Sequence, residues 1–469
     1  MLFSSITFLF FFLPVVLAVY YLIPAKGKNI VLLIASILFY AWGEPVYVIL
    51  LLLSVCFNYF CGRELEAGED NPRRAKMCVV FAVAVNVLIL GFFKYYSFLL
   101  NTAEEIFSIE IPYRELPLPI GISFYTFQAI SYIVDIYRGK ARPQKNFINF
   151  ALYLCMFPKL IAGPVVRYAD MERQLVSRKM SVKKIGQGSR RFIVGLAKKA
   201  VLAGAAGAVF EQISASPAAS LSALTAWIGC ISFAFQIYFD FSGYSDMAVG
   251  LGKMFGFEFR ENFDHPYTAV SVTDFWRRWH ISLSSWFREY VYIPLGGNQC
   301  SVSRNIFNIM VVWLLTGMWH GGAWNFIAWG VYYGVILVME KYVWGVFLDE
   351  IPKAAARVYT GMLVLVGWVF FFSPSLGYSL RYLSAMIGAG AGIVDAQAGF
   401  LLISHWLLYV LAVLCSSTAG MRLFQRIAGI SSNKKVRAAV ETAAYMAVFF
   451  VSVAFLVTDT LDPFLYFRF

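Results

Sequence analysis

The sequence predicts an all-α, polytopic integral membrane protein, and two observations carry that expectation. Of its 469 residues, 60% are hydrophobic and 18% aromatic while only 14% are charged, against about 25% charged residues in an ordinary soluble domain. The chain also supplies, again and again, apolar runs near the roughly 20 residues that span a bilayer. Together these exclude a water-soluble globular enzyme. The disordered, fibrous and disulfide-scaffold classes fall as well, because none carries so much aliphatic and aromatic side chain.

Thirteen apolar segments follow in order: 5–23, 29–42, 46–60, 77–100, 118–137, 147–163, 191–213, 219–240, 306–319, 323–343, 357–373, 399–415 and 438–457. The first lacks a basic leader and a small-residue cleavage site ahead of Lys26 and Lys28, so it reads as a retained helix rather than a cleaved signal. The loops give a topology. The stretch 138–146 holds Arg138, Lys140, Arg142 and Lys145 with no acid; 165–191 has eight basic and two acidic residues, and 421–437 has five basic and none acidic. Loops rich in Lys and Arg are cytoplasmic. The loop 102–117 sets Glu104, Glu105, Glu110 and Glu115 against Arg114 alone and reads as extracytoplasmic, which places the N-terminus outside. The net charge of +12 follows from the same bias and does not call for nucleic acid.

One segment breaks the parity. The run 147–163 has basic loops on both sides and ends in Phe157-Pro158-Lys159-Leu160-Ile161-Ala162-Gly163-Pro164. A re-entrant hairpin satisfies both facts, with its polar backbone sheltered by protein. The seven cysteines show no CxxC spacing, and only Cys300 clearly lies in a polar loop; they read as small buried hydrophobes. No internal repeat is evident, so the inverted halves of many transporters are not expected. The chain reads as one domain over 1–469, with a motif-bearing core at about 118–345 and C-terminal helices over 357–469.

Polarity concentrates in three places. The helix end Q-I-Y-F-D-F-S-G-Y-S-D (236–246) pairs Asp240 with Tyr244 and Ser242 with Asp246 at i, i+4 spacing. Ionisable groups cost about 2.5–3.5 kcal/mol at the centre of a membrane helix and so mark a wet cavity or pathway; solvation at the interface explains Asp240 and Asp246 equally well. The second place is 271–290, where Thr273 is the expected N-cap of a helix ending near Pro294. On that helix Arg277, His280, Ser284 and Arg288 form one polar stripe. An amphipathic helix lying on anionic lipid would show similar arginines, but it explains the central histidine less well. The third place is W-L-L-T-G-M-W-H-G-G-A-W-N (313–325), where His320 ends an apolar run at a double glycine that lets other groups approach. His265 sits beside Pro266 in a polar loop, and His405 lies mid-helix, where packing is the expected role.

No nucleophile elbow, HExxH, phosphate loop or EF-hand occurs. His280 and His320 are 40 residues apart without a third ligand candidate, so no metal is expected. What remains is a buried histidine base with Arg, Asn and Tyr donors, reachable from the cytoplasm. That inventory suits acyl transfer to a hydroxyl: imidazole takes the proton near neutral pH, and fixed donors stabilise the oxyanion. The catalytic candidates are His320 and His280. The substrate-binding candidates are Arg277, Ser284, Arg288, Asn325, Tyr244 and Asp246.

At these residues the sequence resembles the membrane-bound O-acyltransferases, and among them the bacterial alginate O-acetyltransferase branch. The likeness rests on F-P-K-L-I-A-G-P-V-V-R-Y (157–168), Y-F-D-F-S-G-Y-S-D-M-A-V-G (238–250), F-W-R-R-W-H-I-S-L-S-S-W-F-R-E-Y-V-Y-I-P-L-G-G-N (275–298) and W-H-G-G-A-W-N-F (319–326). It implies a ring of about 11–13 transmembrane helices, with re-entrant or interfacial helices, around a central tunnel. By motif position His320 matches the family's catalytic histidine and His280 its second histidine. A sister branch that transfers D-alanine towards teichoic acids shares both histidine motifs. The run Tyr292-Ile293-Pro294-Leu295-Gly296-Gly297 and the aspartate of Y-S-D-M look more like the acetyl branch. The resemblance also implies acetyl-CoA as the donor, with no bound cofactor, and an SGNH-type acetyltransferase partner that places the acetyl on an extracytoplasmic polysaccharide. The expected location is the bacterial cytoplasmic membrane. A transporter whose polar residues only line a path is the competing class, and a structural subunit without activity a weaker one.

Overall fold

The computed structural model describes residues 1–68, 70–114, 116–428 and 433–458. Glu115 and the stretch 429–432 of the basic loop 421–437 lie outside them. Among the described residues nine helices are long and apolar enough to cross a membrane: Ala25–Gly43, Tyr47–Ala67, Pro72–Phe107, Val182–Ser214, Ala223–Met254, Trp324–Glu350, Lys353–Phe372, Ala396–Cys415 and Lys435–Thr458. Phe8–Leu22, Ile122–Tyr137 and Val302–His320 are further helices, shorter or less apolar. The protein is therefore all-α and multi-pass. Helix starts carry the expected chemistry. Asn71, ahead of Pro72, accepts from Arg74 N at 3.1 Å, and Ser301 accepts from Arg304 N at 3.4 Å, each taking up an orphan donor of a first turn.

By contacts the chain divides into two compact units, Met1–Phe192 with Ser245–Arg260, and Ile193–Tyr244 with Glu261–Phe469. In the first, the segment 147–163 forms a helix of nine residues, Phe147–Cys155, a break at Met156, and a single turn Phe157–Leu160. Nine residues reach only about 13 Å along a helix axis, less than half a hydrocarbon core. The broken backbone is supported from neighbouring helices, with Phe157 N donating to Ser36 Oγ at 3.0 Å. Gly121 (φ +79) closes the same region: a Cβ there would stand 2.7 Å from the Leu160 carbonyl. Lys159, fully buried, donates to Gln128 Oε1 and the Tyr153 carbonyl and lies 4.5 Å from the Tyr153 ring centroid.

The basic stretch 165–191 is more ordered than a loop. Tyr168–Val176 is a helix whose Tyr168, Met171 and Leu175 are buried at spacings of three and four. Only Cys61, Cys155 and Cys230 are buried as expected; Cys56, Cys78 and Cys300 are half-buried and Cys415 is exposed. His405 sits at a kink with non-helical angles (φ −116, ψ 16), its Nδ1 3.2 Å from the Leu401 carbonyl. In the second unit an aromatic core gathers Trp276, Trp279, Trp329, Tyr333, Trp368 and Phe371. Its edge-to-face pairs hold ring centroids 4.9–5.5 Å apart, for example Trp276–Tyr333 at 4.9 Å and Trp368–Phe371 at 5.5 Å. This core holds the segments that carry the histidines.

Candidate active site

The continuous helix expected over 273–294 does not form. Ser271, not Thr273, is the N-cap and accepts from Asp274 N at 2.9 Å. Helix Val272–Arg278 then stops, Trp279 is extended, and His280 is left-handed (φ 45, ψ 51). Helix Ile281–Phe287 resumes and runs into a π-turn, Arg288–Tyr292. A left-handed histidine costs on the order of 1–3 kcal/mol and persists only where neighbours enforce it. Asn262 is that neighbour. Its carbonyl accepts from Ile281 N at 3.0 Å, and its Oδ1 accepts from Ser282 N at 3.1 Å and Ser282 Oγ at 2.9 Å. Asn262 was not among the candidates, and in the sequence it lies 18 residues before the turn it shapes.

The same oxygen fixes the chemistry of His280. Asn262 Oδ1 lies 3.3 Å from His280 Nδ1. An oxygen that already accepts from a backbone N–H can only accept again, so Nδ1 carries the proton and Nε2 keeps its lone pair. His280 is 1% exposed, with Phe241 edge-on at 4.6 Å between ring centroids. Burial pushes its imidazole down to about 3, so it stays neutral at physiological pH.

His320 is placed by a close helix pair. Helix Val302–His320 runs against Trp324–Met339, and glycines let their backbones meet. A Cβ on Gly317 would stand 2.3 Å from the Phe326 carbonyl, and one on Gly330 2.4 Å from the Trp313 carbonyl. His320 is 5% exposed among Trp319, Trp329 and Phe371, with ring centroids at 5.0, 5.0 and 5.1 Å.

Both histidines line one cavity of about 230 Å³ within the second unit, together with Arg277, Ser284 and Arg288. Thr273, Trp276, Tyr292, Trp313 and Thr316 complete much of its wall. The broken segment thus assembles the whole polar stripe that the sequence set out on one helix. His280 and His320 are buried, whereas Arg277, Ser284 and Arg288 are exposed. Among the described residues neither Arg277 nor Arg288 has an ion-pair partner, while the adjacent Arg278 is paired with Asp274 at 2.9 Å.

Three candidates do not line this cavity. Asn325 donates to the carbonyls of Phe370 (3.2 Å) and Ser373 (2.9 Å) and ties down the end of a neighbouring helix. Tyr244 is buried in packing, 2% exposed. Asp246 belongs to the other compact unit, where it accepts from Arg191 Nε at 3.0 Å and Nη2 at 2.8 Å.

Fold and site together define a multi-pass membrane protein with a two-histidine cavity and cations at its exposed edge, an arrangement suited to group transfer. Residues 141–380, which include the entire cavity, match the profile of the MBOAT, membrane-bound O-acyltransferase family. The chain belongs to this family and is an acyltransferase. It is 38% identical over the full length of both chains to the "Probable alginate O-acetylase AlgI" of Azotobacter vinelandii. It is 36% identical to the peptidoglycan O-acetyltransferase of Helicobacter pylori, covering 83% of this chain and 80% of that one. The teichoic acid D-alanyltransferase of Streptococcus thermophilus is 30% identical over 47% of this chain and 56% of its own.

Proposed function

We propose that this protein moves an acetyl group from acetyl-CoA on the cytoplasmic side across a bacterial cytoplasmic membrane, for O-acetylation of an extracytoplasmic polysaccharide. The observation that carries the reading is the cavity: two buried imidazoles share one space with two arginines that have no acidic partner among the described residues. A guanidinium binds phosphate through a bidentate fork, so Arg277 and Arg288 hold the donor's phosphates at the exposed edge. His320 takes the proton of an accepting hydroxyl as its oxygen attacks the thioester carbonyl; the C–S bond breaks, His320 returns that proton to the leaving thiolate, and the acetyl ester so formed is what the partner receives. His280, neutral and oriented by Asn262, positions the reacting groups with its Nε2. Acetyl transfer is favoured over D-alanyl transfer because the acetylating relatives align over 83–100% of the chain, the D-alanylating ones over 47–48%.

Final placement on the sugar falls to a separate SGNH-type acetyltransferase. Proteoliposomes supplied with radiolabelled acetyl-CoA on the cytoplasmic face, and with that partner and a polysaccharide on the other, test the scheme. Label is expected in the polysaccharide only when both proteins are present. Label reaching the sugar without the partner contradicts the division of labour, and none in any arrangement contradicts the donor.

A further inference from the structure

Glu340 ends the apolar run W-N-F-I-A-W-G-V-Y-Y-G-V-I-L-V-M (324–339) and is 5% exposed. It begins a π-turn, Glu340–Trp344, a departure from α geometry frequent at functional sites. Its carboxylate is fully used. Oε1 accepts from Val272 N at 2.7 Å and, at 3.4 Å, from Tyr359 OH, and Oε2 accepts from Thr273 N at 2.8 Å and Thr273 Oγ1 at 2.6 Å. Ser271 Oγ takes Asp274 N, so the two residues between them satisfy the first three N–H groups of helix Val272–Arg278. That helix has seven residues, too few to persist on propensity alone. Yet it carries Thr273, Trp276 and Arg277 of the cavity wall and delivers His280 two residues past its end. The next residues of the π-turn hold a second wall. Lys341 Nζ donates to Asn298 Oδ1 at 2.7 Å and Asn305 Oδ1 at 2.8 Å, Tyr342 OH donates to Asn305 Oδ1 at 2.8 Å, and Asn305 Nδ2 donates to the cavity residue Tyr292 at 2.8 Å.

We propose that Glu340 is a positioning residue for acyl transfer: its carboxylate, seated on the N-terminus of helix Val272–Arg278, holds Arg277 and His280 in register with His320. A negative charge at that end also complements the helix dipole. The proposal rests on the acyl-transfer reading for its kinetic arm, and a second arm is independent of it. Glu340→Gln is the sharp variant, since one of the two accepting oxygens becomes an NH2 that must face a backbone N–H. Thr273→Val removes only the hydroxyl donor.

Glu340→Gln is expected to speed hydrogen–deuterium exchange in peptides covering 272–280 while leaving 324–339 protected. It should raise the KM for the donor about tenfold, with a smaller change in kcat because His320 stands on a separate helix. Thr273→Val should show the same pattern at about threefold. Unchanged exchange over 272–280 in Glu340→Gln overturns the proposal. So does loss of protection throughout the chain with kcat and KM falling together, which would make Glu340 a general stabiliser. If wild-type protein transfers nothing from acetyl-CoA, the donor reading fails on its own and the exchange result still decides the role of Glu340.

Discussion

Helix Ala223–Met254 and the segment Ser271–Tyr292 both crowd ionisable side chains into apolar surroundings, and the fold treats them in opposite ways. On the helix, Asp240 takes Lys199 as a partner, with side chains 7% and 10% exposed, and Asp246 takes Arg191 at 2.8 Å. Each carboxylate is closed off by a cation from another helix, and neither lines the cavity. In the segment, Arg277 and Arg288 have no acidic partner among the described residues and stand at the exposed edge of the space that His280 and His320 share. Density of charge in an apolar run therefore does not separate structure from chemistry. Whether a counter-charge arrives from elsewhere in the fold does.

The contrast breaks most severely at His320. His320→Ala should lower polysaccharide acetylation in cells by about 10²–10⁴, the usual cost of losing a general base, with the protein at normal membrane abundance. Near-normal acetylation would move the chemistry away from the cavity. Next come the arginines. Arg277→Lys and Arg288→Lys keep the charge but lose the fork, and charged hydrogen bonds contribute about 1.5–3 kcal/mol, so each should raise the donor KM by about 10–100-fold. Full activity in both variants would mean that they serve lipid contact.

His280 sharpens the difference between the two imidazoles. With its proton affinity pushed down to about 3, it does not titrate between pH 5 and 9. His280→Asn should slow transfer about tenfold yet leave the acidic limb of the pH–rate profile where it is; a shifted limb would show that His280 itself exchanges the proton. The smallest effect on activity is expected in the closed pair. Lys199→Met leaves Asp240 as a buried charge without its ammonium and should cost about 3–5 kcal/mol of stability, seen as a lower unfolding temperature. Lys199→Met/Asp240→Leu should regain most of it, and transfer per folded molecule should stay within about twofold of wild type. A double variant that is stable but inactive would put Asp240 in the chemistry.

Much of the architecture was legible because its cause is local. The apolar runs 29–42 and 399–415 became helices Lys28–Gly43 and Ala396–Cys415, since burial in lipid and satisfaction of the backbone act on the run itself. The shortness of the 147–163 run was legible from its Phe157-Pro158 end, and the helix there has nine residues, Phe147–Cys155. Helix Tyr168–Val176 was hidden by its charges, although its buried face repeats at helical spacing. The break at His280 was not legible. It depends on Asn262, whose reach to Ile281 and Ser282 is a tertiary fact, and no local residue marks it. The placement of Asp246 and Asn325 outside the cavity wall was hidden for the same reason, their partners being Arg191 and the carbonyls of Phe370 and Ser373. Glu340 carried a signal that went unused: a single acid ending a long apolar run, where an unpaired carboxylate would be costly.

The most direct test of the cavity as the seat of the reaction is single-turnover acetyl transfer from radiolabelled acetyl-CoA in proteoliposomes, comparing wild-type protein with His320→Gln. The amide keeps the size and hydrogen-bonding capacity of the imidazole and cannot take a proton. Transfer reduced by about 10²-fold or more, with the protein folded and its donor affinity retained, is the expected result. Transfer by His320→Gln at the wild-type rate would contradict the assignment of His320 as the base.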